Sequence, residues 1–500
     1  MAKYDVIVIG AGHNGLIAAA KLAKAGLKVI VLEKSSILGG CSKTEHDILP
    51  GCKISGGGVV IQRPILRLAE ELELRKFGFE PIEAGQDEPI TTYLFGDKVR
   101  FSAYRDIERT CSEIAQHSKE EADNYRNFVN EWAPLSQGLG EIYKWTNPNY
   151  TQLFNILEGM GRKVMWLYLS DISEILTTYF SSDWLAGLAR VPWVVGVHPT
   201  YPGTGFTTQY LPHIHWAPYF IAKGGMGGFI EPLAKAVEHL GGEVRRNSGV
   251  SQIIVEKGIA KGVKLESGEE VFGKIVLSAT HCKITYLKLV GEKNLEPEFY
   301  NYIRRLKEAS SMFVLYLELS ERFPIESRNF MILRGLEHVK EEATAVNENR
   351  RPPWPTLWLS NDCPYDPTLA PHGRQFISVM GVVPHKLQGT TWEAEKEKHA
   401  ESILDALERR VPGIRSIVVN RNIHTPEYYE KNYNLYNAST YGLSCTLTQM
   451  WSMKPPFRAP IKNLYLTGMD VHPGPGINGL AGRNSSNVIL GDIKEGKIKI

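Results

Sequence analysis

The chain has 500 residues, 43% of them hydrophobic and 22% charged, with a formal net charge of +2 at pH 7. That length exceeds one hydrophobic core and implies two or three domains, and the near-balanced charge leaves no footprint for nucleic acid. No window holds 18 uncharged apolar residues, which argues against a spanning helix, and the direct opening on a strand pattern leads us to expect a cytosolic chain.

The glycine turn near the N-terminus comes first in chain order. Val6 to Ile9 is a β-branched apolar run, the mark of a strand covered on both faces. Gly10-Ala11-Gly12-His13-Asn14-Gly15 follows, then a helical pattern from Leu16 to Ala25, and a second strand from Lys28 to Leu32 that ends in Glu33. This spacing predicts a dinucleotide site. Gly10 permits the turn, Gly12 lets backbone approach a pyrophosphate, and Gly15 lets helix pack on strand. The helix N-terminus offers free N–H groups to phosphate. Ala11 and Asn14 belong to the same turn. Glu33, with Lys34 beside it, is placed for an adenosine ribose, and an acid there disfavours a 2′-phosphate.

Gly39-Gly40 gives a second close backbone approach. Much later, Gly224 to Gly228 reads as a glycine loop, Phe229 to Leu240 as a helix, and Val250 to Val255 as a strand placed near adenine. Lys257-Gly258 and Ser267-Gly268 read as hairpin turns, and Ile275 to Ser278 as a strand returning to the sheet. Near the end, Leu464 to Leu466 is a strand and Gly468 to Gly476 a loop. From Gly479 onward a helix begins, its N-terminus expected to face a flavin pyrimidine. Asp470 is expected at the ribityl chain or phosphate. These segments favour FAD over a nicotinamide, and no second GxGxxG precedes a helix in mid-chain.

Between them, Met165 to Val197 reads as two helices broken at Ser181-Ser182-Asp183, with a buried helix pair the plain reading and peripheral membrane contact the alternative. Met312 to Leu319, Thr356 to Leu359 and Gln375 to Val383 read as strands of a floor over the flavin. Trp392 to Arg410 reads as an amphipathic helix capped by Thr391.

Together these motifs resemble the phytoene desaturase superfamily, which shares its core with flavin amine oxidases, and in particular its phytoene-dehydrogenase-related branch. The residues that carry the likeness are Gly10 to Leu16, Gly39-Gly40 with Thr44-Glu45 and Pro50-Gly51, His198 to His213, Gly224 to Gly227, and His472 to Gly476. The resemblance implies an α/β fold: a Rossmann-type FAD-binding domain (1–75, 224–290 and 455–500) interleaved with an α+β substrate domain (76–223 and 291–454). It also implies non-covalent FAD and redox chemistry on a lipophilic or cyclic small molecule, with an external electron acceptor. Two departures stand out. Cys41 replaces the arginine that often follows the double glycine, and Pro475 replaces a third glycine of the terminal loop.

A catalytic base needs a pKa near working pH. His472 is the first candidate, since the terminal loop should run beside the flavin, and Tyr441 is a candidate pocket residue with Tyr436. His13 is expected to touch cofactor or backbone. His213 and His215 would share one face of a strand, but with no third ligand no metal site is expected. Cys41 could attach flavin or act as a redox thiol, and Glu427 is a carboxylate near the cleft. The six cysteines are scattered with no CxxC, as in a reducing compartment. The leading reading is an FAD-dependent dehydrogenase. A flavin ene-reductase or isomerase, and a non-catalytic flavin-binding assembly factor, are the alternatives.

Overall fold

The computed structural model describes residues 3–500 except 84–86, 97, 147–148, 160, 194–197 and 218. Two seven-stranded sheets organise it. In the first, strands Tyr4–Ile9, Val29–Leu32 and Glu243–Arg245 run parallel, and Tyr4–Ile9 also pairs with Glu270–Ser278. The lower half of Glu270–Ser278 pairs antiparallel with Ile259–Leu265, which pairs with Val250–Glu256; its upper half takes Leu464–Leu466 in parallel. Val6 to Val8 and Val29 to Val31 are all buried, as their continuous β-branched and apolar pattern predicts for the middle of a parallel sheet. Lys257 and Gly258 both adopt positive φ (48° and 75°), as a tight two-residue hairpin requires.

Helix His13–Lys24 lies on one face of this sheet with Ala18, Ala19 and Ala20 buried. These small side chains let the last helix, Leu480–Lys494, come close: a Cβ on Gly482 would sit 2.4 Å from Asn14 O.

The second sheet runs in the order Val418–His424, Ser311–Leu319, Gln375–Val383, Leu357–Ser360, Asn329–Leu333, Thr91–Phe95, Val99–Ala103. All pairs are antiparallel except Asn329–Leu333 with Thr91–Phe95. Every residue of Ser311–Leu319 is buried, yet the two-residue period still sorts them. Phe313, Leu315 and Leu317 pack with Trp392, Ile403 and Leu407 of helix Trp392–Arg410, whereas Met312, Val314 and Tyr316 face the first sheet's loops. Thr391 caps that helix, accepting from Ala394 N at 3.2 Å.

Two expectations need correction. The segment from Met165 onward is not two helices but several short ones: Arg162–Leu169, Ile172–Tyr179, Asp183–Ala186, a tight turn of helix at Gly187–Ala189, and Arg190–Trp193; residues 194–197 lie outside the described residues. Ser182 does cap the piece at Asp183, but Asp171 makes an earlier break by capping Ile172–Tyr179 through Glu174 N at 2.8 Å. His213 and His215 are not on a strand. Tyr210–His213 is a helical turn, because Pro212 lacks the N–H that a ladder needs and fits a first turn. His215 Nδ1 donates to Tyr104 O at 2.6 Å and its Nε2 meets Tyr125 Oη at 3.0 Å, whereas His213 Nδ1 lies 3.5 Å from Ser136 Oγ. No helix of the described residues is long and apolar enough to cross a membrane.

Two outcomes follow from this packing. Gly482→Ala should cost about 1–3 kcal/mol, since backbone rather than a yielding side chain blocks the new methyl; urea unfolding checks this. His399 is buried against Phe313 and Trp392, and burial drives its pKa from 6.5 to about 3. The folded ring stays neutral while the unfolded one takes a proton. The stability it contributes is therefore full above pH 6.5 and falls, by up to about 1.4 kcal/mol per pH unit, as pH drops below that value. His399→Leu should flatten the dependence of the urea midpoint on pH between 6.5 and 5.

Candidate functional site

A cavity of about 260 Å³ opens between the two sheets and is lined from both. At one end stand Gly10, Gly12, Asn14 and Gly15 of the first turn, Glu33, Lys34 and Val250. At the other are Met312, Tyr429, Tyr433, Leu435 and Tyr441, all from the second unit, with Gly468 and Met469 from the terminal loop.

The glycine end is shaped by backbone. Gly10 has φ 96°, closed to ordinary side chains. A Cβ on Gly15 would lie 2.3 Å from Gly10 O, whereas one on Gly12 would find nothing nearer than Gly39 O at 3.8 Å. The space beside Gly12 is thus a cradle that any side chain would fill. Gly39 and Gly40 have φ of 120° and 55°, and Gly39 N donates to Ala11 O at 3.0 Å, so the second glycine loop lies directly on the first. Ala11 does not reach the cavity; its N–H donates to Glu33 Oε2 at 2.8 Å while Ser35 N holds Oε1 at 2.9 Å. The acid is therefore aimed and anchored. Lys34 forms an exposed pair with Glu266 at 2.7 Å, which contributes little.

Several candidates sit elsewhere than expected. His472 does not line the cavity. Its ring is buried, Nε2 is 3.0 Å from Ile142 O, Nδ1 has no partner among the described residues, and burial lowers its pKa to about 4. It ties the terminal loop to the end of helix Lys119–Ile142. Asp470 is also outside the cavity, with both oxygens used: Oδ2 accepts from Cys282 N at 2.7 Å and Oδ1 from Leu443 N at 3.0 Å. It clamps three segments, with His281 Nδ1 also 3.3 Å from Oδ2, and it does not line the cavity where a ribityl chain would run. Gly479 lies away from the cavity as well, and its φ of 71° starts the last helix in a space walled by Ile17, Leu68 and Ile65. Two of that helix's first N–H groups are taken by side chains. Gly482 N is taken by Asn14 Oδ1 at 3.1 Å and Leu480 N by Asn478 Oδ1 at 2.9 Å; Pro475, Gly476 and Ile477 line the cavity in its place. Glu427 is exposed and accepts from Trp392 N at 3.2 Å, and Tyr436 stacks on His281.

Other side chains at the cavity are uncharged. His13 lies between Asn14 Nδ2 (3.0 Å) and Ser42 Oγ (3.3 Å), and burial takes its pKa to about 4. Cys41 is pushed up to about 12 by burial, so its thiol stays protonated and unreactive. His281, Cys282 and Asp470 have ligand atoms within 4.8 Å of one another, but each Asp470 oxygen already accepts from a backbone N–H and burial holds the Cys282 thiol protonated, which does not suit a metal.

Sequence reasoning missed the group behind Tyr433. Lys43 and Glu45 are a buried ion pair at 3.0 Å, and the Tyr433 hydroxyl donates to Glu45. The signal was an acid and a lysine flanking one threonine in a segment otherwise read for its glycines. Lys454 was missed too: its ammonium is buried with no hydrogen-bond partner among the described residues, close to Gly474.

Comparison with known proteins agrees with this architecture. A family model described as an NAD(P)-binding Rossmann-like domain matches residues 8–70, and one described as flavin containing amine oxidoreductase matches residues 173–489. The chain is 26% identical to the rat (Rattus norvegicus) pyridine nucleotide-disulfide oxidoreductase domain-containing protein 2, over 98% of this chain and 94% of that one. It is 25% identical to a 4,4'-diapophytoene desaturase of a Methylomonas species, over 94% and 92% of the two chains. The crystal structure of an oxidoreductase from Methanosarcina mazei superposes with a TM-score of 0.65 at 17% identity, over 97% of this chain and all (100%) of the other. With its Rossmann turn, its glycine cradle and a family match across more than half its length, the chain belongs to the flavin containing amine oxidoreductase family and is a flavin-dependent oxidoreductase.

Proposed function

We propose that the protein binds FAD without a covalent link and dehydrogenates an uncharged, lipophilic or cyclic organic molecule, passing the electrons to an external acceptor. One observation carries the choice of substrate: every residue that the second unit contributes to the cavity (Met312, Tyr429, Tyr433, Asn434, Leu435, Thr440 and Tyr441) is uncharged. An ammonium substrate would have to leave water without meeting a free carboxylate, which costs several kcal/mol; the one acid close behind, Glu45, is already matched by Lys43.

The residues present fit FAD. The open cradle at Gly12, the left-handed glycines at 10, 39 and 40, and the anchored Glu33 suit a pyrophosphate and a ribose. When bound, FAD supplies the two-electron acceptor for a hydride. The chain's own part is to hold and orient. Gly12 and Gly40 give backbone access, Glu33 takes ribose hydroxyls, and Tyr429, Tyr433 and Tyr441 wall the substrate and exclude water. Cys41, half-buried with its thiol held protonated, supports non-covalent binding.

Purified protein should be yellow, and acid precipitation should release all the flavin as FAD into the supernatant. Gly12→Val should come out colourless. In anaerobic mixing, apolar alkenes and cyclic alcohols are expected to bleach the flavin band while primary amines leave it unchanged. Bleaching by amines alone would overturn the substrate assignment.

A further inference from the structure

Chemistry in the cavity between the two sheets makes or uses protons that must be exchanged with solvent. The buried group beside Tyr433 has the geometry for that task. Glu45 ends the two-residue strand Thr44–Glu45 and is 4% exposed. Its two oxygens serve two different tyrosines. Oε2 accepts from the hydroxyl of Tyr433, whose side chain borders the cavity, and Oε1 lies 3.4 Å from the hydroxyl of Tyr428, which is half-buried. Both tyrosines come from helix Pro426–Tyr433.

The surroundings fix this arrangement. Lys43 Nζ is 3.0 Å from Glu45 Oε1, lies 3.9 Å from the centre of the Tyr433 ring, and also donates to Asn432 O at 3.3 Å. That sets a cation against the buried carboxylate. Tyr316 and Tyr429 both donate to Gly56 O, at 2.9 and 2.8 Å, pinning the loop against the pair. A Cβ on Gly56 would fall 1.9 Å from the Tyr433 hydroxyl oxygen and 2.3 Å from Glu45 Oε2, so glycine there is a condition for the contact. His424 stacks on Tyr428 at 3.7 Å and steadies the outer end. A buried ion pair serving only to hold the fold has no need of two hydroxyls on opposite oxygens, one on a ring that borders the cavity and one on a half-buried ring.

We propose that Tyr433, Glu45 and Tyr428 form a proton relay between the cavity and solvent, with Lys43 as the positioning residue that holds the Glu45 carboxylate in place. The relay rests on the flavin dehydrogenase reading above. As a substrate X–H bond breaks, its proton bonds to Tyr433 Oη and the proton already on Oη passes to Glu45 Oε2. The X–H electron pair becomes the new double bond, and the adjacent C–H pair leaves as hydride to the oxidant, the flavin. The Glu45 carboxyl then turns to bring this proton to Tyr428 Oη, which takes it up as Oη releases its own proton to water, and the carboxylate is restored.

The test needs no knowledge of the substrate. Full-length FAD-loaded protein is photoreduced anaerobically with EDTA and light in weak buffer containing phenol red. Flavin bleaching and proton uptake from solvent are then followed together. In the wild type the two should keep pace. In Glu45→Gln and in Tyr428→Phe, proton uptake should lag bleaching by on the order of tenfold or more, with the flavin content and the final proton count unchanged. Tyr428→Phe removes one half-buried hydroxyl and decides the matter if Glu45→Gln does not fold. Uptake that keeps pace with bleaching in Tyr428→Phe would overturn the relay while leaving the flavin assignment intact. A wild-type protein that takes no FAD would sink the dehydrogenase reading and the relay with it.

Discussion

Close approach of bare backbone at residues 10–15 is the constraint on which the rest of the molecule depends. Four stretches of chain converge there. Gly15 lies against Gly10 O and Ala279, Gly39 hydrogen-bonds Ala11, Glu33 folds back to the Ala11 N–H, and the last helix reaches in through Gly482 to Asn14. A side chain at almost any of these positions would push apart two layers that the sheet holds together. Packing density leaves no slack to absorb it. The feature that opens a cradle for phosphate is therefore also the one that lets the first and last helices share a face.

Electrostatics divide the cavity into two parts with different tasks. The glycine end carries Glu33 and a row of backbone amides, groups that suit a polar, doubly charged linker. The tyrosine end carries no exposed charge, and burial lowers the pKa of the histidines that line the cavity, His13 and His281, and of His472 behind it. Ionised groups exist near that end but are kept behind the wall, as in the Lys43–Glu45 pair. Such an interior favours apolar guests and leaves a fixed charge where it can act through a hydroxyl instead of by direct contact.

Much of this was legible in the sequence, and the reason is local. The opening strand, turn and helix announce themselves through glycine spacing and β-branched runs, and helix Trp392–Arg410 and strand Gln375–Val383 have the bounds that their periodicity gives. What the sequence did not show was direction. Asp470 and His472 lie in the correct loop, but Cys282, Leu443 and Ile142, from distant parts of the chain, claim their polar atoms. Glu45 and Tyr433 are 388 positions apart and meet only through tertiary packing. The alternation at His213 and His215 was misread because a short stretch cannot separate a period of two from one turn of helix, and Pro212 decided it.

The strand Leu464–Leu466 completes the first sheet by pairing with Val276–Ser278, beside strands made from the first residues of the chain. A nascent polypeptide therefore makes its glycine turn long before this strand and helix Leu480–Lys494 emerge to close around it. Until they arrive the sheet presents an open edge, a target for chaperones or for aggregation, in place of a finished binding site.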